Sequence, residues 1–276
     1  MKAVNFAYER PRQLADAIGL IADDSIQAKV LAGGQSLGPM LNMRLVRPDV
    51  IIDITALEEL KRVEQQKDYL VIGACVTHAD IEDGRVADVT NGAMRAVASG
   101  IAYRAVRNRG TIGGSLTNAD PSADWVSALA ALGAEAMVRG ASATRIIAVE
   151  AYVTGALETA LVAGELLEAI RVPAQSPAAR WGYYKVSRKT GEYAQAIGAV
   201  LLNRSRDVFR AVIGATEGKP LVWSDARALF GGTYDLASFD QGAADAMLQS
   251  TGMTDPLDRQ IHVVALARAV RQASGA

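Results

Sequence analysis

Apolar positions recur along this chain with two alternating periods. Arg12–Ala22 has helical spacing, Lys29–Ala32 is a short apolar strand ending in Gly33-Gly34, and a helix is predicted next, with Pro39 in its first turn. Val50–Ile54 (VIIDI) and Tyr69–Val76 (YLVIGACV) have the length and composition of buried strands. A helical stretch near Gly92–Ser99 leads to a second double glycine, Gly113-Gly114. Beyond it, Trp125, Ala128, Leu129 and Leu132 line one face of a helix. Strands are predicted near Ala136–Arg139 and Leu166–Val172. After the Pro/Ala/Ser-rich stretch Val172–Ala178 come three more, Trp181–Ser187, Ile197–Asn203 and Val208–Ala215. A helical tail closes the chain, with Val263, Leu266, Ala267 and Val270 on one face. Strands in runs followed by helices predict an α+β protein with antiparallel pairing and no doubly wound sheet.

Composition narrows the chemistry. Lys and Arg number 29 against 30 Asp and Glu in 276 residues, a net charge of −1, so no basic face for nucleic acid is expected. Half the residues are hydrophobic but only 5% aromatic, which calls for an aliphatic core. The single cysteine, Cys75, excludes an internal disulfide and any cysteine-held iron–sulfur cluster in this chain. In an apolar run it reads as a small buried hydrophobe. Two histidines, His78 and His262, are too few for a histidine-dominated metal site. His78 opens a helix after Thr77 and shows nothing catalytic. No segment approaches the roughly 20 apolar residues of a membrane span. The first residues carry no apolar signal region, so the cytoplasm is the expected location.

The candidate chemistry lies in the two glycine turns. Ala32-Gly33-Gly34-Gln35-Ser36-Leu37 joins a strand to a helix, and Thr111-Ile112-Gly113-Gly114-Ser115 repeats the arrangement. Such turns let the main chain approach a ligand and offer amide donors at a helix start, and two of them suit the two charged groups of a pyrophosphate. No G-x-G-x-x-G occurs, and Gly214–Pro220 is one residue short of a P-loop, with proline at the magnesium-binding position. Gly34-Gln35-Ser36-Leu37-Gly38 does satisfy the G-x-S-x-G elbow of a serine hydrolase, with His262 as the base. Against that reading, His262 falls in the apolar rhythm of the last helix and no oxyanion motif accompanies the elbow. A cofactor-free assembly subunit with vestigial loops is the third alternative. The basic cluster Arg104, Arg107 and Arg109 reads as a solvated face, an offset to diphosphate charge or a dock for an acidic partner surface.

Taken together, AGGQSLGPMLNMRLVRPDVIIDI (Ala32–Ile54), VRNRGTIGGSLTNADPSADW (Val106–Trp125), GELLEAIRVP (Gly164–Pro173) and Tyr184-Lys185-x-x-Arg188 resemble the FAD-binding medium subunit of molybdenum hydroxylases. This is the family of the carbon monoxide dehydrogenase medium subunit and of the flavin portion of xanthine dehydrogenase. The resemblance implies an FAD-binding region of the PCMH, or vanillyl-alcohol oxidase-like, type over residues 1–175, with subdomains at about 1–60 and 61–175. A C-terminal α+β domain with an antiparallel sheet would follow at 178–276. It implies FAD held by Ala32, Gly33, Gly34, Gln35, Ser36 and Leu37 and by Thr111, Ile112, Gly113, Gly114 and Ser115. Asp124 would lie beside the nucleotide, Ile101 and Leu167 would border the adenine, Lys185 would reach the isoalloxazine, and Tyr193 would lie near that ring. It further implies a subunit without catalytic residues or a metal of its own, an electron-transfer flavoprotein of an oxidoreductase. The partners would be a large molybdopterin subunit and a small [2Fe–2S] subunit in a dimer of heterotrimers. FAD would pass electrons to an external acceptor.

Overall fold

In the computed structural model, which describes residues 2–275, three main sheets follow one another along the chain. The first contains β1 (Ala7–Glu9), β2 (Ala28–Leu31) and β3 (Val50–Asp53), with α1 (Leu14–Ile21) and α2 (Leu37–Asn42) between them. Its order is β1-β3-β2 and both pairs are parallel. This departs from the antiparallel pairing expected throughout. Each short helix carries the chain back to the end where the preceding strand began, so successive strands run the same way.

The second region comprises β4 (Val63–Gln65), β5 (Tyr69–Gly73), α3 (His78–Glu82), α4 (Ala93–Ser99), α5 (Arg104–Arg107), α6 (Ile112–Asn118) and α7 (Asp124–Leu132). It continues through β6 (Glu135–Arg139), β7 (Thr144–Ala148), α8 (Val149–Tyr152), the small hairpin β8 (Val153–Gly155) and β9 (Glu158–Thr159), and β10 (Leu166–Pro173). Its antiparallel sheet has the order β4-β5-β10-β6-β7. The apolar run from Tyr69 stops being a strand at Gly73, short of the predicted Val76. The cause is a reciprocal cap just downstream. Thr77 Oγ1 accepts the Asp80 N–H at 3.1 Å and Asp80 Oδ2 accepts the Thr77 N–H at 3.0 Å, which starts α3 at His78. Cys75 is buried in the intervening turn, where burial pushes its thiol up to about 12.

The third region is an antiparallel meander, β11 (Arg180–Val186), β12 (Ala196–Asn203), β13 (Val208–Gly214) and β14 (Leu221–Trp223), followed by α9 (Gln241–Ser250) and α10 (Pro256–Ser274). Every residue of β12 is buried, because α10 covers one face of the sheet and α7 the other. That explains why Ala196–Asn203 reads as an almost unbroken apolar run with no alternation. α7 itself is buried on all sides. The predicted face Trp125, Ala128, Leu129 and Leu132 is real, but Val126, Ser127, Ala130 and Ala131 are equally covered. Ala199 and Val212 of the meander belong to the same apolar core as α7. Among the described residues no helix is long and apolar enough to cross a membrane.

Candidate functional site

A cleft of about 670 Å³ opens where the three regions meet. The parallel sheet contributes Val30 and the turn that follows β2, and α6 with the turn before it forms the opposite wall. Leu166 and Leu167 of β10 form the floor, and Gly191, Glu192 and Tyr193 reach in from the loop between β11 and β12. Of the predicted residues, the cleft gathers Ala32, Gly33, Gly34, Gln35, Ser36, Leu37, Ile101, Thr111, Gly113, Gly114, Ser115, Asp124, Leu167 and Tyr193.

Two predicted residues do not border it. Ile112 is wholly buried, its side chain in the core and its N–H donated to Val76 O at 3.0 Å. Lys185 donates from Nζ to Gly100 O at 2.8 Å and to Asp124 at 2.9 Å. Its amine stands behind Asp124 and meets the cleft only through that carboxylate.

The turn after β2 is built as an anion cradle. Gly34 has φ +73°, the left-handed region that favours glycine, and Ser36 returns to right-handed angles at the start of α2. Such alternation turns successive amides to one side. Among the described residues, none of the backbone N–H groups of Gly33, Gly34, Gln35, Ser36 and Leu37 has a protein acceptor. Gln35 Nε2 closes the turn on Gly33 O at 3.0 Å.

The second turn looks alike in sequence and is wired differently. Ile112 and Gly113 donate to Val76 O and Ala74 O, each at 3.0 Å. Gly114 N–H donates to Thr111 Oγ1 at 3.0 Å, the helix cap, and Ser115 N–H to Thr111 O at 2.9 Å. The amides of Ile112, Gly113, Gly114 and Ser115 are therefore spent on the protein. The glycines here answer a packing demand. A Cβ on Gly113 would lie 2.4 Å from Ala74 Cβ, and one on Gly33 would lie 2.2 Å from Arg109 O, so each permits close approach of backbone to backbone.

Asp124, at the start of α7, is 8% exposed and faces the cleft. Tyr183 donates to its Oδ1 at 2.7 Å and Lys185 holds the other oxygen. Burial pushes the Asp124 carboxyl upward against the pull of Lys185 and Tyr183. Burial and the adjoining carboxyl push the Tyr183 hydroxyl well above its ordinary value. Tyr183 carried no sequence signal, because its pairing with Asp124 joins residues far apart in the chain.

His78, read from sequence as inert, also lines the cleft. It is 4% exposed, and Trp125 Nε1 donates to its Nδ1 at 3.0 Å. Burial, aided by the Arg107 cation, lowers its pKa to about 4, so the ring is neutral at physiological pH.

The basic cluster divides. Arg104 pairs with Glu82 and Asp83, and Arg107 with Glu82 and the carbonyls of Ile101 and Ala102. The Arg109 guanidinium has no acceptor among the described residues, and Arg109 lines a second, smaller cavity of about 440 Å³ behind Gly33. His262 lies outside the cleft, with Nδ1 2.7 Å from Asp258 O and Nε2 3.2 Å from Ala215 O on the buried side of α10. His262 is therefore not the base of Ser36, and the hydrolase reading built on that pair falls.

Residues 4–175 match the family described as the FAD binding domain in molybdopterin dehydrogenase. The nicotine 6-hydroxylase medium subunit of Paenarthrobacter nicotinovorans is 34% identical over 254 residues, 91% of this chain and 88% of that one. The caffeine dehydrogenase subunit beta of a Pseudomonas species is 36% identical over 203 residues, 73% and 69% of the two chains. Among solved structures, a chain of the carbon monoxide dehydrogenase from Hydrogenophaga pseudoflava superposes with a TM-score of 0.88 at 28% identity, covering 100% of this chain and 99% of that one. The chain belongs to the FAD-binding subunits of the molybdopterin dehydrogenases. It is the flavoprotein medium subunit of an oxidoreductase of the molybdenum hydroxylase type, and its cofactor is FAD, so the cofactor-free alternative falls as well.

Proposed function

We propose that this subunit receives electrons from [2Fe–2S] clusters of a small partner and delivers them through FAD to an external acceptor. A large molybdopterin-bearing partner hydroxylates the substrate, and the assembly is a dimer of heterotrimers in the cytoplasm. The chain's own composition supports this division of labour, since its lone thiol, Cys75, cannot ligate a cluster. The same reading takes residues 1–60, 61–175 and 178–276 as two FAD-binding subdomains and a C-terminal domain, each organised around its own sheet.

The observation that carries the reading is the row of unpartnered amides from Gly33 to Leu37, in a turn that lines a cleft between three sheets. A diphosphate supplies the acceptors that those donors lack. The FAD, when bound, supplies a carrier able to exchange electrons with one-electron and two-electron partners. The chain's part is to hold and position it. Ile101 and Leu167 offer apolar walls for the adenine. Asp124, fixed by Tyr183 and Lys185, presents an acceptor for a hydroxyl or ring N–H. Tyr193, 65% exposed and on the cleft, would pack near the flavin ring. Lys185 acts on the cofactor through Asp124.

The test is the visible spectrum of the complex assembled from coexpressed subunits. Flavin bands at one FAD per copy of this chain, bleached when the substrate of the large subunit is added and restored by an acceptor, are expected. A complex that turns over its substrate with no flavin in this chain would refute the reading.

A further inference from the structure

The α6 wall of the cleft has the opposite problem to the Gly33 turn. It faces the same ligand, yet its helix-start amides are already committed to Val76 O, Ala74 O and Thr111 Oγ1. Side chains supply what those amides cannot, and His78 is a buried polar side chain on the cleft. Its Nδ1 accepts the Trp125 indole N–H, which requires that nitrogen to carry no proton. A neutral imidazole then holds its hydrogen on Nε2, and Nε2 has no acceptor among the described residues. A histidine that is 4% exposed and lines the cleft thus holds one fixed, unspent N–H.

Its neighbours locate it. A Cβ on Gly110 would lie 2.8 Å from His78 Nε2, and a Cβ on Gly33 would lie 2.7 Å from Gly110 Cα. The imidazole, Gly110 and the first residue of the amide cradle therefore form one contiguous stack. The capping box of Thr77 and Asp80 sets the start of α3, and His78 N–H donates to Gly110 O at 2.9 Å, so main chain and ring are both held.

We propose that His78 is a further cofactor-binding residue, its Nε2–H donating to a phosphate oxygen of FAD beside the Gly33–Leu37 amides. Trp125 is its positioning residue, selecting the tautomer. The inference rests on the reading of the cleft as the FAD site. Burial keeps the ring neutral, with a pKa of about 4, so the donor is the same across the working pH range.

Two substitutions separate donation from packing. His78→Asn keeps an oxygen close to the place of Nδ1, where Trp125 donates, and removes the donor at Nε2. His78→Gln keeps an amide N–H close to the place of Nε2 and gives up the acceptor for Trp125. In the assembled complex, His78→Asn is expected to weaken FAD binding about tenfold, the scale of a hydrogen bond to a charged group. His78→Gln should stay within about threefold of the parent, a smaller step on the same free-energy scale. ADP, which carries the diphosphate without the flavin, should bind the flavin-free complex about tenfold more weakly in the Asn variant, for the same reason. Full FAD retention by His78→Asn, or a greater loss in His78→Gln than in His78→Asn, would overturn the assignment and leave His78 as an acceptor for Trp125 alone. A parent complex without flavin would instead sink the reading of the cleft, and this inference with it.

Discussion

The two double-glycine turns invite a direct comparison. Both join an extended segment to a short helix, both carry a serine or threonine, and in sequence each looks like half of a phosphate clamp. In three dimensions one is open and the other closed. The Gly33–Leu37 amides have no protein acceptor, whereas those of Ile112, Gly113 and Gly114 are all spent. The difference comes from what lies behind each turn. Behind α6 runs the chain leaving β5, whose Ala74 and Val76 carbonyls need donors of their own once the strand has ended at Gly73. Behind the turn after β2 the Arg109–Gly110 backbone packs against Gly33 but takes none of that turn's amides. A glycine pair therefore marks a close approach, and the surroundings decide whether a ligand or the protein itself is approached.

That contrast can be broken from several sides. The largest effect is expected from Gly113→Ala, whose new Cβ would lie 2.4 Å from Ala74 Cβ and 2.6 Å from its Cα, contacts that only backbone movement relieves. A loss of about 3 kcal/mol, or failure to accumulate folded chain, should appear in urea unfolding. An unchanged midpoint would mean that α6 does not press on β5 as described.

Close behind comes pH. His78 is neutral in the fold, with a pKa lowered from 6.5 to about 4, so the unfolded chain binds the extra proton first. Stability from this group is complete above about pH 6.5 and is lost as pH falls toward 4, by ~3 kcal/mol in all. His78→Gln should flatten that part of the stability profile measured against the parent, and parallel profiles would contradict the burial argument.

Gly34→Ala probes the open turn. It places a side chain at φ +73° with its Cβ 3.1 Å from Leu31 Cδ1, at a cost of about 1 kcal/mol. Because the strain reorients the free amides, FAD dissociation from the assembled complex should quicken about tenfold. A flavin off-rate equal to the parent's would separate those amides from the cofactor.

The smallest expected effect runs the other way. Gly38 lies inside α2, and a Cβ there meets nothing within 4 Å. Gly38→Ala should raise stability by about 0.5–1 kcal/mol, seen as a higher Tm, with FAD content unchanged. A fall in FAD content would extend the cradle by one residue, to Gly38.

Much of the fold could be read directly. The strands after Lys29, Val50, Ala136, Leu166, Trp181, Ile197 and Val208 and the helices around Trp125 and Val263 all follow from local periodicity. The short edge strands β1 and β7 could not be found this way. Thr144–Ala148 is largely exposed and mixes charged with apolar residues, so pairing with β6 defines it and its own pattern does not. The parallel order of the first sheet was equally hidden, since pairing direction leaves no mark on so few residues. At the site, the two turns and Asp124 were legible because they are local motifs with a family pattern. Tyr183 and His78 were not, because each becomes meaningful only through a partner distant in sequence, Asp124 for the one and Trp125 for the other.

The sequence by itself determined the identity of the flavin subunit and the absence of cysteine ligands for a cluster. It also determined the places where backbone must come close to something, since composition, spacing and the lack of a Cβ are properties of single positions. Only the tertiary structure decided what that something is. Whether an amide is free, a lysine exposed or a histidine neutral depends on which acceptors, carboxylates and rings the fold brings within about 3 Å, the range over which hydrogen bonds and ion pairs act.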